Sequence, residues 1–212
     1  MIYIDVHSHS AIASPDTVKI VNNDSAVSGF FSAGLHPWKL SAETLENSLA
    51  ALEKRLRLPS CVALGEAGLD KICATAWELQ TEAFKRQIEF AEHYGKPLII
   101  HCVRAAQEVL ELKKKSRVPW IFHGFRSSPE SAESLVKKGF YLSLGAPLLD
   151  CEKTRNAFRA VPAEHIFFET DESTVSIKEI YSEAVKLKDI QEKELCDTIK
   201  NNFINVFGDI LK

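Results

Sequence analysis

The chain has 212 residues, 45% of them hydrophobic and 26% charged, with a formal net charge of −3. That length can bury a substantial core as one domain over residues 1–212. The weakly acidic balance excludes a general pull on nucleic acid or an anionic membrane, so a polyanion would have to be met by a local site. No apolar run is long enough to span a membrane, and no basic segment leads into an apolar stretch of the secretory kind. The five cysteines, Cys61, Cys73, Cys102, Cys151 and Cys196, are scattered and never in Cys-x-x-Cys spacing. This argues against a disulfide framework or a thiolate zinc site, and for a reducing, cytoplasmic location.

In chain order, residues 2–7 read as a first strand, with Ile2, Ile4 and Val6 on one parity and Asp5, His7 and His9 on the other. Residues two apart in a strand share a face, so the two imidazoles can converge on one point. Residues 17–21 form a second strand, and Gly29–Pro37 a third with its loop. Ser41 is the expected N-cap of a helix carrying Leu45, Leu49, Leu52 and Leu56 at helical spacing. A fourth strand spans 61–66, and a long helix over 76–94 closes at Gly95-Lys-Pro97. Residues 98–102 make the fifth strand, followed by an amphipathic helix with Ala106, Val109 and Leu110. Its closing Lys113-Lys-Lys115 is read as charge favourable to a helix C-terminus rather than a nucleic-acid patch.

Residues 120–123 form the sixth strand, and Ser128-Pro129 start a helix ending at Gly139. Strands over 140–144 and 165–171 follow, with a helix near 152–160 between them. A helix over 176–187 comes next, and the last helix is expected to open on a capping box, Asp189…Glu192. Eight strands, mostly followed by helices, predict an α/β fold of the (β/α)8 TIM-barrel class, trimmed on its first βα units.

On those strands the polar residues that bind metals gather at C-terminal ends, where enzymes of this class place their sites. His7 and His9 close the first strand, His36 the third, Glu66 the fourth, His101 the fifth, His123 the sixth and Asp171 the eighth. A single strand-end histidine is ordinarily structural; the coincidence of so many is not. His7, His9, His101 and His123 with Glu66 and Asp171 offer imidazoles and carboxylates enough for two divalent cations. Imidazole-rich ligation suits Zn2+, and a carboxylate bridge admits Mg2+ or Mn2+.

Seven motifs stand in order: Asp5-Val-His-Ser-His9, Gly34-Leu-His-Pro37, Gly65-Glu-Ala-Gly-Leu-Asp70, Lys96–Arg104, His123-Gly-Phe125, Glu169-Thr-Asp171 and Asn202–Gly208. In these the chain resembles the TatD-related metal-dependent hydrolases, a branch of the amidohydrolase-like barrels that includes TatD-type deoxyribonucleases. The resemblance implies a two-metal hydrolase of phosphodiester bonds, exonuclease-like, acting on DNA ends or small phosphodiesters. It implies that His7, His9 and Asp171 hold one metal, that Glu66 bridges both, and that His101 and His123 complete the second site. Asp171 would orient the attacking water or accept its proton, and Arg104 and His36 are candidates to contact a substrate phosphate. Asp5 and Asp70 are expected to fix neighbouring histidines or backbone, and Cys102 to pack behind its strand.

The loop after His9 is short, Lys71 stands where the family often has an aromatic, and Glu172 adds negative charge after Asp171. These departures bear on the substrate rather than the metals. They keep two alternatives open: a metal-dependent amidohydrolase or esterase acting on a small molecule, and a catalytically silent metal-binding scaffold. No membrane or obligate protein partner is expected.

Overall fold

Among the described residues, strands and α-helices follow in the order β1 (Tyr3–Ser8), β2 (Thr17–Asn22), β3 (Phe31–Ala33), α1 (Leu45–Leu56), β4 (Cys61–Asp70), α2 (Trp77–Tyr94), β5 (Leu98–Val103), α3 (Ala106–Lys113), β6 (Trp120–Phe122), α4 (Pro129–Lys137), β7 (Phe140–Leu144), α5 (Glu152–Ala160), β8 (Ile166–Phe168), α6 (Ile177–Lys188) and α7 (Glu192–Phe207). The computed structural model describes residues 1–12, 14–22 and 29–211. Among these no α-helix lies between β1, β2 and β3, and helix and strand alternate from α1 to β8. The described residues group into two units, Met1–Val21 with Ile121–Lys212 and Asn22–Trp120.

In the first unit β1 pairs in parallel with β2, Tyr3 opposite Thr17 and Asp5 opposite Lys19. All six β1 residues are buried, because alternation sends Ile4 and Val6 to one side and Asp5 and His7 to the other. Strand β7 pairs in parallel with β8, and Ser8 forms a parallel bridge with Asp171 beyond the end of β8. Two backbone bonds hold that bridge: the Asp171 amide donates to the His7 carbonyl at 2.9 Å, and the His9 amide to the Asp171 carbonyl at 3.0 Å. Phe167, Phe168, Tyr181 and Phe203 are fully buried behind these strands, with the Phe168 and Tyr181 rings 4.6 Å apart. The Tyr181 hydroxyl pins β1 by accepting from the Ile4 amide and donating to the Ile4 carbonyl.

In the second unit β3, β4 and β5 pair in parallel, with Ala33 opposite Leu64 and Gly68 opposite His101. Leu45, Leu49 and Ala83, from α1 and α2, pack with Leu35, Leu40, Leu79 and Phe90. A Cβ on Gly68 would stand 1.9 Å from the His101 carbonyl oxygen, so only glycine lets β4 approach β5 this closely.

Several boundaries differ from the sequence expectation. β4 extends to Asp70 rather than ending at Glu66, because its two glycines sustain pairing with β5 as far as Val103. β8 covers only Ile166–Phe168, with His165 in a preceding 3-10 turn. Ser41 does not cap α1; Thr44 holds that position, without a side-chain bond. Asp189 is not the N-cap of α7 but the left-handed C-cap of α6, at φ 51°, a conformation that a short polar side chain tolerates. Gln191 precedes α7 instead. The expected caps Ser128 and Gly95 are in place.

Candidate metal centre

Each unit carries its own cluster of ligating side chains. In the first, ligand atoms of His7, His123 and Asp171 all lie within 4.8 Å of one another. Asp171 sits at φ 51° just past β8. From there its Oδ1 lies 3.6 Å from His7 Nε2 and 3.4 Å from His9 Nε2. His7 is fully buried, whereas His9 and Asp171 have side chains about two-fifths exposed, which opens the cluster to solvent on their side.

Two buried carboxylates support this cluster. Glu169 Oε1 accepts from the Gly124 amide at 2.6 Å and lies 3.3 Å from His123 Nδ1, fixing the ring. Burial opposes the charge of Glu169, but the His123 and His7 imidazoles outweigh it and leave its pKa below the ordinary value. Asp5 accepts from the Thr170 amide at 3.0 Å and hydroxyl at 2.7 Å, and Lys19 Nζ stands 3.6 Å away. Its pKa is nonetheless raised, because burial outweighs these contacts. Asp5 thereby ties the segment carrying Asp171 to the strand carrying His7.

In the second unit, ligand atoms of His36, Glu66 and His101 lie within 4.8 Å of one another. His101 Nδ1 is 2.8 Å from Glu66 Oε1, and its Nε2 is 3.2 Å from Asp70 Oδ2. Asn22, at the end of β2, donates to Glu66 Oε2 and accepts from the Glu66 amide. Gly34 is required beside them, since a Cβ there would stand 2.7 Å from the Glu66 carbonyl oxygen. His36 Nδ1 accepts from the Trp38 amide at 3.1 Å and so caps a short 3-10 turn over Pro37–Lys39. A ring nitrogen that accepts carries no proton in neutral imidazole. Its Nε2, 3.1 Å from Glu66 Oε1, is therefore the donor, which suits hydrogen bonding better than ligation.

Asp70 Oδ2 also accepts from Trp38 Nε1 at 2.7 Å, and its Oδ1 accepts from the Ile72 amide. Burial would raise the Asp70 carboxyl, yet these donors and His101 hold it below its usual range. Cys102 is turned away, and burial pushes its thiol up to about 11. Arg104 is exposed just past β5 at φ 54° and belongs to neither cluster. Sequence reasoning assigns no role to Glu169, Asn22 or Trp38. Glu169 shares strand parity with Asp171, and Asn22 closes a strand, so both carry a usable signal.

Imidazole nitrogens and carboxylate oxygens converging this closely, with further carboxylates orienting the rings, are the donor set of a divalent cation. His7, His9, His123 and Asp171 would hold it in the first unit, and Glu66 and His101 in the second; the resemblance implies His123 for the second site, but its ring lies with His7 and Asp171.

This geometry defines a metal-binding α/β protein with its ligands at strand ends, and comparison with known proteins agrees. Residues 4–208 match the family described as TatD related DNase, and the chain belongs to that family. It is 34% identical over 148 residues to "3'-5' ssDNA/RNA exonuclease TatD" of Edwardsiella piscicida, covering 66% of this chain and 56% of the relative. It is 30% identical over 148 residues to "Uncharacterized metal-dependent hydrolase YabD" of Bacillus subtilis, covering 67% of this chain and 58% of that protein. The chain thus spans little more than half the length of these curated relatives. The crystal structure of YjjV, a TatD homologue from Escherichia coli K12, superposes with a TM-score of 0.72 at 24% identity, covering 84% of this chain and 76% of that one. This likeness shows the fold to be of the (β/α)8 class.

Proposed function

We propose that this protein is a two-metal-dependent hydrolase of phosphodiester bonds, a TatD-type nuclease acting on nucleic-acid ends or small phosphodiesters. The observation that carries the reading is the pair of imidazole–carboxylate clusters at strand ends, one in each unit. The activity named for the Edwardsiella relative, an exonuclease on single-stranded DNA and RNA, supports the choice of bond.

Divalent cations at such clusters supply Lewis-acid activation of water and neutralise charge on an attacked phosphate. The protein's own residues do the rest. Asp171, the half-open carboxylate of its cluster, accepts the proton of the attacking water. His36 presents its Nε2 proton towards Glu66 and is available to an anionic oxygen there. Arg104, exposed past β5, offers a planar guanidinium to a substrate phosphate. Glu169, Asp5 and Asp70 keep the ligating rings and backbone in place.

Purified protein supplied with Zn2+, Mn2+ or Mg2+ is expected to cleave an end-labelled oligonucleotide, and chelation is expected to abolish cleavage. Glu66→Gln should lower kcat by at least about a hundredfold, in line with the loss of a principal electrostatic group. Turnover of amide or carboxyl-ester panels, with none of phosphodiesters under any of these metals, would replace this reading with a small-molecule amidohydrolase or esterase. That outcome would also accord with the weakly acidic charge and the short loop after His9.

A further inference from the structure

Trp38 is 64% exposed, although an indole needed only for packing is ordinarily covered. It is not loose. Its Nε1–H is held on Asp70 Oδ2 at 2.7 Å, and its backbone amide is held on His36 Nδ1. The His36 and His101 rings lie 4.8 and 5.6 Å from it, each at 79°. Among the described residues no ring lies flat on the indole, so a rigid π-surface stands beside the Glu66 cluster, open to a flat partner. Hollows adjoin its anchors: Asp70 lines one of about 370 Å³, and His36 and Lys39 line another of about 200 Å³.

We propose that Trp38 is a stacking platform for a nucleobase of the substrate, a specificity-determining position that selects nucleotide phosphodiesters over base-free ones. The inference rests on the phosphodiesterase reading above. A planar heterocycle is the ligand such a surface fits, since every nucleobase has a π-face and stacking on aromatic side chains is tolerant of sequence. It also answers a need set by charge. A protein of net charge −3 draws little general attraction for a polyanion, so contacts besides phosphate pairing must add to affinity. The anchoring bond to Asp70 fixes the ring before substrate arrives, which lowers the entropic cost of the stack.

The test compares metal-loaded wild type, Trp38→Ala and Trp38→Phe on a dithymidine phosphodiester and on its abasic counterpart with the same sugar–phosphate. Trp38→Ala should raise KM for the dinucleotide about tenfold more than for the abasic compound. Trp38→Phe, which keeps a ring but loses the indole N–H, should retain most of the preference. A role limited to anchoring Asp70 would instead weaken both variants equally on both substrates, and that pattern overturns the proposal. Binding is read independently by tryptophan fluorescence. Saturable quenching by the dinucleotide but not the abasic compound, lost in Trp38→Ala, supports the stack, whereas quenching that survives in Trp38→Ala refutes it. If no phosphodiester is turned over, the functional reading fails and the fluorescence arm still decides whether Trp38 stacks on a base.

Discussion

Asp5 shows how a residue that touches no ligand can govern the centre. It is fully buried, and its two oxygens engage the amide and hydroxyl of Thr170, one residue before Asp171. Asp5→Ala would orphan the buried Thr170 amide and remove the carboxylate beside Lys19 Nζ, which keeps its bonds to the Ile12 carbonyl and Ser8 hydroxyl, at a cost of about 3 kcal/mol in urea denaturation. Asp5→Asn, which keeps one acceptor oxygen, should cost less than half of that. The same variants should bind less metal at a given concentration, measured by elemental analysis after dialysis, because Asp171 loses its tether. Glu169 and Asn22 act in the same supporting way on His123 and Glu66. The sequence points to Asp5 as a fixing group but not to its partner, which is distant. Asp5 and Thr170 are 165 positions apart, and no local periodicity links them.

At the scale of elements, the β4–β5 pair is the least forgiving. Gly68→Ala would place a methyl group against the His101 carbonyl, displacing β4 or His101. We expect loss of the native near-ultraviolet circular dichroism, or insoluble protein, rather than a small shift in stability. The link from α2 to the loop before β6 is milder and pH-sensitive. Glu92 accepts from the Ser116 hydroxyl and from the Arg117 and Val118 amides. Burial would raise its pKa, but these donors outweigh it and hold the carboxyl below its usual range. A carboxyl depressed in the folded state stabilises above its unfolded pKa, and that contribution disappears as pH falls through the folded value. Glu92→Ala should therefore cost about 1–2 kcal/mol at pH 7. The gap from wild type should close progressively in denaturation curves taken below about pH 4.

Elements with strong periodicity are legible in the amino-acid pattern itself. β7 and α5 fall on the expected residues, and α2 and α4 carry the stop and start signals read for them. The mismatches lie where one residue type serves opposite purposes. Asp189 reads as an N-cap but is equally fit for the left-handed exit of α6. The glycines of β4 read as a strand end, yet they allow its close pairing to continue. Strand-end positions make the candidate ligands legible as a set. Which of them converge, as His7, His123 and Asp171 do and as His36, Glu66 and His101 do, depends on side-chain direction, which spacing does not encode. Trp38 escapes notice because a single exposed aromatic carries no pattern.

For the whole molecule, on the proposed phosphodiesterase reading, charge sets how substrate is captured. With a net charge of −3, the proposed nuclease should depend on salt only weakly. Each phosphate neutralised contributes about −0.7 to the slope of log affinity against log salt for a single strand. One or two contacts predict a slope shallower than about −1.5. Fluorescence-anisotropy titrations of a labelled oligonucleotide between about 50 and 200 mM salt measure it, and a much steeper slope would show an extended basic track instead. No helix among the described residues is long and apolar enough to cross a membrane.

The first unit joins residues 1–21 to residues 121–212, while the second is one continuous stretch, 22–120. During synthesis, then, the two clusters become possible at different moments. His36, Glu66 and His101 have all been made once the ribosome has passed residue 101. His7 and His9 are made about 160 residues before Asp171 and must wait for it. For that interval the nascent chain displays a histidine pair whose carboxylate does not yet exist. Secure capture of a cation by this cluster would thus wait on the synthesis of Asp171.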